Sequence, residues 1–276
     1  MTINIKGHLI DLQKPLLMGI LNFTPDSFYQ GSRVNSDTEL KNKIQKMFDY
    51  GADIIDVGGM SSRPGAKIIN EKEELKRLES VFKLINNNFA DKYFSIDTIR
   101  SSIAKIAVKD YGISIINDIS GGEYDNKMFE TVAECKVPYV MMHMKGTPEN
   151  MQDKTDYKSL TDDIILYFSK KMKQLNSLGV NDVILDPGFG FSKTIDQNFE
   201  LLNKLEEFEI FNLPILAGLS RKSMIWRHLN TSPDKALNGT SVLNTIALQK
   251  GADILRVHDV KEGREVIDLF QKTISS

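Results

Sequence analysis

The chain has 276 residues and a formal net charge of −2, with 35 Lys and Arg against 37 Asp and Glu, so no global basic field draws it to nucleic acid or an anionic membrane. Its 41% hydrophobic and 26% charged residues suit an ordinary globular core, and no stretch approaches the roughly 20 apolar residues of a spanning helix. A single cysteine, Cys135, excludes an internal disulfide and points to a reducing compartment, the cytoplasm.

Residues 1–14 alternate polar and apolar side chains around Lys6-Gly7. They predict a small β-hairpin that plugs the base of whatever follows, not an export leader. Eight short apolar runs then predict strands: Leu16–Leu21, Asp53–Val57, Tyr93–Ile96, Ser114–Ile116, Tyr139–Met142, Val183–Leu185, Ile215–Ala217 and Ile254–Val257. Their near-continuous hydrophobicity suits parallel strands covered on both faces. Helical spacing fills the gaps. Ser36 and Glu39 have capping-box spacing ahead of Leu40, Ile44, Met47 and Phe48, and Asn70 and Glu73 repeat it ahead of Leu75, Leu78, Phe82 and Ile85. Ile164, Phe168, Met172 and Leu175 continue the pattern. Gly51, Gly112, Gly179 and Gly251 each close a helical run just before a strand. The repeating unit predicts an α/β fold, a single-domain (β/α)8 TIM barrel over residues 15–276 behind the hairpin. A doubly wound sheet is the competing architecture. Gly188-Phe189-Gly190 lacks the third glycine of a dinucleotide fingerprint.

In such a barrel the chemistry sits at the C-terminal ends of the strands. Reading each strand into its loop gives Asn22; Asp56, Ser62, Arg63 and Pro64; Asp97; Asn117 and Asp118; Met142 and His143; Asp186, Phe191 and Lys193; Arg221, Lys222 and Ser223; Arg256 and His258. The acids and the amide come from strands three, four and six, the cations from strands two, seven and eight. The last two loops are the usual phosphate site of these barrels, and a helix starting near Ser223 would add its amides. A phosphorylated substrate follows. The carboxylates opposite suit a part rich in N–H donors, because an ionised Asp only accepts. Asp56 and Asp118 read as orienters of other side chains, His143 as a satisfied interior histidine, and Arg221 as a partner for a carboxylate. Lys222, beside Arg221, reads as a charged donor more than a Schiff-base lysine.

At these residues the sequence resembles the dihydropteroate synthases. The matching blocks are Met18–Phe28 (MGILNFTPDSF), Asp56–Gly65 (DVGGMSSRPG), Ser95–Thr98 (SIDT), Ile116–Gly122 (INDISGG), Met142–Pro148 (MHMKGTP), Leu185–Lys193 (LDPGFGFSK), Gly218–Ile225 (GLSRKSMI) and Arg256–Val260 (RVHDV). The resemblance implies a homodimeric barrel that joins 6-hydroxymethyl-7,8-dihydropterin diphosphate to p-aminobenzoate, with Mg2+ as cofactor and sulfonamides as mimics of p-aminobenzoate. By position, it implies that Asp97, Asn117, Asp186, Lys222 and Met142 bind the pterin. Asn22, Ser62, Arg256 and His258 would hold the diphosphate, with Asn22 also reaching the metal. Phe28, Arg63, Pro64, Phe191, Lys222 and Ser223 would line the p-aminobenzoate pocket, and Asp97, Lys222, Arg256 and His258 would serve catalysis. Gln30 stands where the family's first loop commonly carries an acid, and Ser62 stands where Thr is frequent. A pterin-dependent methyltransferase and a non-catalytic pterin-binding barrel share the fold and are the competing functions.

Overall fold

The computed structural model describes residues 1–23 and 33–275. Strands β1 (Thr2–Ile5) and β2 (His8–Asp11) pair antiparallel, with Ile5 opposite His8. Lys6 and Gly7 join them with positive φ at both positions (52° and 82°), which suits the twist of a two-residue hairpin. Eight parallel strands follow: β3 (Leu16–Asn22), β4 (Ile54–Gly58), β5 (Tyr93–Asp97), β6 (Ile115–Asp118), β7 (Tyr139–Met142), β8 (Val183–Asp186), β9 (Leu216–Ala217) and β10 (Ile254–Val257). They are ordered β8-β7-β6-β5-β4-β3-β10-β9. A parallel bridge from Leu185 to Ile215, just ahead of β9, closes the ring.

Among the described residues the surrounding helices are α1 (Arg33–Asp49), α2 (Glu71–Asn88), α3 (Ser101–Tyr111), α4 (Met128–Cys135), α5 (Leu160–Ser177), α6 (Ile195–Asn203), α7 (Ser223–His228), α8 (Leu237–Gln249) and α9 (Val260–Ile274). The expected (β/α)8 barrel with its N-terminal hairpin is the fold found. Gly112 ends α3 in the left-handed conformation (φ 70°), which lets the helix stop and turn into β6. The side chain of Asn70 caps α2 by accepting from the Glu73 amide at 3.0 Å, but Glu73 itself turns to Arg77. The helix α1 begins at Arg33, so position 36 falls inside it and not at its N-cap position.

Alternation along the strands sorts the interior. Leu16, Met18, Ile54, Ile115, Val140, Ile184, Leu216 and Ile254 face the axis at the base, where Ile3, Ile5 and Leu12 of the hairpin segment pack against them. The hairpin is therefore the plug that its pattern predicted. The intervening residues, such as Ile55, Val57, Phe94, Ile96 and Leu185, face outward onto Leu78, Phe82, Ile85 and Phe168 of the helices. Side chains two residues apart share a face of a strand. Two positions beyond Ile54, Ile115, Val140, Ile184 and Ile254, the inward face thus presents Asp56, Asn117, Met142, Asp186 and Arg256. The fold converts an apolar base layer into a chemical layer by one repeat of the pleat. No described helix is long and apolar enough to cross a membrane.

Candidate active site

The centre of this layer is a charge cluster around Arg256. Its Nε donates to Asp56 Oδ2 at 2.8 Å, and its Nη2 lies 2.7 Å from the same oxygen and 2.8 Å from Asp97 Oδ2. Asn117 Nδ2 adds a third donor to Asp56 Oδ2 at 2.9 Å. That bond leaves the Asn117 carbonyl oxygen as the amide's remaining acceptor. Asp56 is fully buried, and its Oδ1 has no partner. The charges therefore do not divide into an acidic wall and a cationic wall, as the strand-by-strand reading expected. Arg256 sits between two acids because β10, β3, β4 and β5 are neighbours in the ring and their inward positions converge on the axis. Burial, reinforced by the carboxylates of Asp56, Glu74 and Asp118, raises the Asp97 pKa to about 7 even though Arg256 pulls it down.

Asp186 stands at the end of β8. Its Oδ1 accepts from the Gly188 amide at 2.8 Å, so one oxygen shapes the Asp186-Pro187-Gly188 turn. Burial raises its pKa, and Lys222, Arg256 and Lys193 act against that. Lys222 is held down to about 8 by burial and then by Arg256, with Asp186 and Asp97 opposing. Its Nζ lies 4.2 Å over the ring of Phe191, a cation–π distance. Phe191 packs with Met60, Ile99, Ile119, Met142, Met144 and Met151 in a buried apolar cluster. Methionine is polarisable and adapts to flat aromatic surfaces.

The loop that carries Phe191 is tied from below. Lys193, buried, donates to the carbonyls of Gly188 and Phe191 (both 3.0 Å) and meets His143 Nδ1 at 3.2 Å. His143 is thus an interior residue bonded to Lys193. Arg221 makes a two-pronged pair with Asp259, 2.8 Å on each limb, and spends a third donor on the Pro233 carbonyl. Those bonds engage it in holding the loop before α7 to α9.

Other expected site residues lie farther out. Asn22 ends β3, where its Oδ1 and Asp97 flank the space over Gly58: a Cβ added there would meet Asn22 Oδ1 at 3.2 Å and Asp97 Cβ at 3.4 Å. Ser62 is half-buried, and Arg63 and Pro64 are exposed, in the loop between β4 and α2. Ser223 begins the six-residue α7. His258 follows β10, with its Nδ1 at 3.2 Å from Ser220 Oγ. Phe28 and Gln30 lie outside the described residues. Among the described residues no group of three His, Cys, Asp or Glu side chains could hold a metal alone. A hard cation that takes one protein oxygen and completes its shell from substrate phosphate fits Asn22 Oδ1.

Glu74 is the residue that strand-end reading misses. It is fully buried beneath the rim and bonded to Thr98 and Arg100. A signal existed: Glu74 shares the helical stripe of Leu78, Phe82 and Ile85, an apolar face on which an acid needs partners.

The sequence model of the family described as pterin binding enzyme matches residues 18–258. The chain is 40% identical over 273 residues to the dihydropteroate synthase of Escherichia coli K12, covering 98% of this chain and 96% of that protein. A dihydropteroate synthase of Bacillus subtilis is 42% identical over 252 residues, 91% of this chain and 85% of that protein. In structure the chain matches a Yersinia pestis dihydropteroate synthase complexed with a sulfonamide drug, with a TM-score of 0.92, 38% identity and full coverage of both chains. It also matches a Xanthomonas albilineans dihydropteroate synthase with 4-aminobenzoic acid, with a TM-score of 0.91, 30% identity and coverage of 100% of this chain and 98% of that one.

Proposed function

From the premise that this chain belongs to the pterin-binding enzymes as a dihydropteroate synthase, we propose how its own residues divide the condensation of the pterin diphosphate with p-aminobenzoate. The observation that carries the assignment is the single inward layer formed by Asp56, Asp97, Asn117, Asp186 and Arg256, with Lys222 beside it.

Asp186 accepts from the 2-amino group and a ring N–H of the pterin, using acceptor capacity left beside its bond to Gly188. Asn117 offers its carbonyl oxygen. Met142 and its methionine neighbours cover a face of the heterocycle. Asn22, Ser62, Arg256 and His258 hold the diphosphate, and Asp56 fixes the direction of Arg256. The reaction is dissociative. The bond from the pterin methylene to oxygen breaks with its electron pair going to diphosphate, and Asp97 offsets the positive charge left on the pterin. The aniline nitrogen of p-aminobenzoate then bonds the methylene and releases a proton. Lys222 over Phe191, with Arg63, Pro64 and Ser223, forms the p-aminobenzoate pocket. Mg2+ bound at Asn22 would supply charge neutralisation for diphosphate.

The test is diphosphate release with pterin diphosphate and p-aminobenzoate present, each omitted in turn. Release that requires both, and that stops on chelation and returns with Mg2+, is expected. Steady release over many turnovers that is indifferent to p-aminobenzoate would overturn the assignment. A homodimer is supported by the exposed Val242 and Leu269 on α8 and α9, and by the groove between those helices. Sedimentation at twice the chain's 31.2 kDa is the expected result, and a monomer would exclude it. Cytoplasmic residence accords with one buried, unpaired Cys135, and cell fractionation tests it.

Two titrations set the pH profile. Asp97 offsets the positive charge on the pterin only when ionised, so kcat/KM for the pterin diphosphate falls as pH drops through about 7. Lys222 serves only when charged, so the same quantity falls as pH rises through about 8. A narrow bell between these limbs is expected. Lys222→Arg, which stays charged, removes the alkaline limb; an unchanged limb would show that it arises elsewhere.

A further inference from the structure

The loop between β4 and α2, residues 59–70, carries Ser62, Arg63 and Pro64. It is fastened by side chains that no step above uses. At its start, Arg77 of α2 donates from Nη1 to the Gly59 carbonyl at 3.1 Å. At its end, Arg100, the residue before α3, donates from Nη2 to the Ile69 carbonyl at 2.5 Å. Midway, the Gly65 amide reaches the Pro148 carbonyl at 2.9 Å, and the Ile68 amide reaches Glu149 Oε1 at 3.1 Å.

Arg100 is itself aimed. Its Nη1 pairs with Glu74 Oε2, and the other Glu74 oxygen accepts from Thr98 Oγ1 at 2.7 Å. Thr98 directly follows Asp97 and also accepts from the Arg100 amide at 3.3 Å. One buried carboxylate therefore joins the loop's end to the strand that carries Asp97. For stability alone a buried ion pair is a poor device, since apolar side chains of equal volume do as well or better. What the pair adds is direction. A planar guanidinium held on one limb presents the other at a fixed angle, which a lysine amine does not reproduce.

We propose that Arg100, oriented by Glu74, is a positioning residue for the p-aminobenzoate half of the reaction, setting the loop after β4 over the mouth of the barrel. This rests on the assignment of Arg63 and Pro64 to the p-aminobenzoate side. The test is Arg100→Lys in the full chain, with the two substrates read separately. The KM for p-aminobenzoate rises about tenfold, while pterin diphosphate affinity by calorimetry stays within about twofold. A merely structural role would lower the active fraction without that split. An unmoved KM for p-aminobenzoate, or equal losses for both substrates, would overturn the proposal. Glu74→Gln keeps the shape and an acceptor but loses the charge. It shifts the same KM in the same direction by less, and it decides the matter should Arg100→Lys fail to fold; no shift in it overturns the proposal equally. Wild-type turnover measured alongside separates the two readings. An inactive wild type defeats the assignment and this inference together, whereas an active wild type with an unmoved Arg100→Lys defeats this inference alone.

Discussion

Asp186→Asn weakens pterin diphosphate binding by about 100-fold, because one or two charge-assisted hydrogen bonds at roughly 1.5–3 kcal/mol each are lost. The amide oxygen of Asn still accepts from Gly188, so the turn after β8 persists. What is lost is the second acceptor and the charge. Stability moves the opposite way. Burial raises the Asp186 pKa above its unfolded value, so the folded protein binds this proton more readily than the unfolded chain. The ionised form therefore costs stability as pH rises past the unfolded pKa. A neutral side chain removes that cost, and the melting temperature of the variant holds or rises. Calorimetric titration and thermal unfolding check the two halves. Binding within threefold of the wild type would dislodge Asp186 from the pterin site.

Arg256→Met has the largest combined effect. It strips the shared donor from Asp56 and Asp97, both buried, and leaves two uncompensated carboxylates. Breaking a buried pair by removing one partner costs about 3–5 kcal/mol. For a chain of this size that lowers the melting temperature by on the order of 10 °C. Turnover falls by about 10³, as for other preorganised donors facing developing negative charge. A cycle with Asp56→Asn separates charge from packing. If the penalty is uncompensated charge, Arg256→Met costs markedly less in the Asp56→Asn background. A cost unchanged in that background would mean that Arg256 acts through packing instead.

The barrel was legible because its strands are apolar runs between amphipathic helices, four of them followed by a glycine stop just before the next strand. Asp97, Asn117 and Asp186 were legible because a barrel displays whatever ends its strands. Three things were not. The strand ends ran longer than their apolar cores: Asn117 and Asp118 are poor strand formers, yet β6 includes both because β5 and β7 supply ladders on either side. The sorting of charge by strand failed because sequence order says which strand bears Arg256, not that its guanidinium crosses to Asp56 and Asp97. Glu74 is one of three acids in the first turn of α2, where helix dipoles favour them. Only its place on the apolar stripe distinguished it.

The brevity of the barrel strands restricts how this protein can change length. β8 has four residues, with Ile184 on the base layer and Asp186 on the layer above. A residue inserted between Ile184 and Leu185 would reverse parity. The carboxylate would then swing outward among the helix side chains of the shell, and a leucine would take its place at the ligand. Indels in this chain are thus confined to the stretches beyond the rim and beneath the base, whereas within the strands only substitutions keep the reacting groups turned toward the axis.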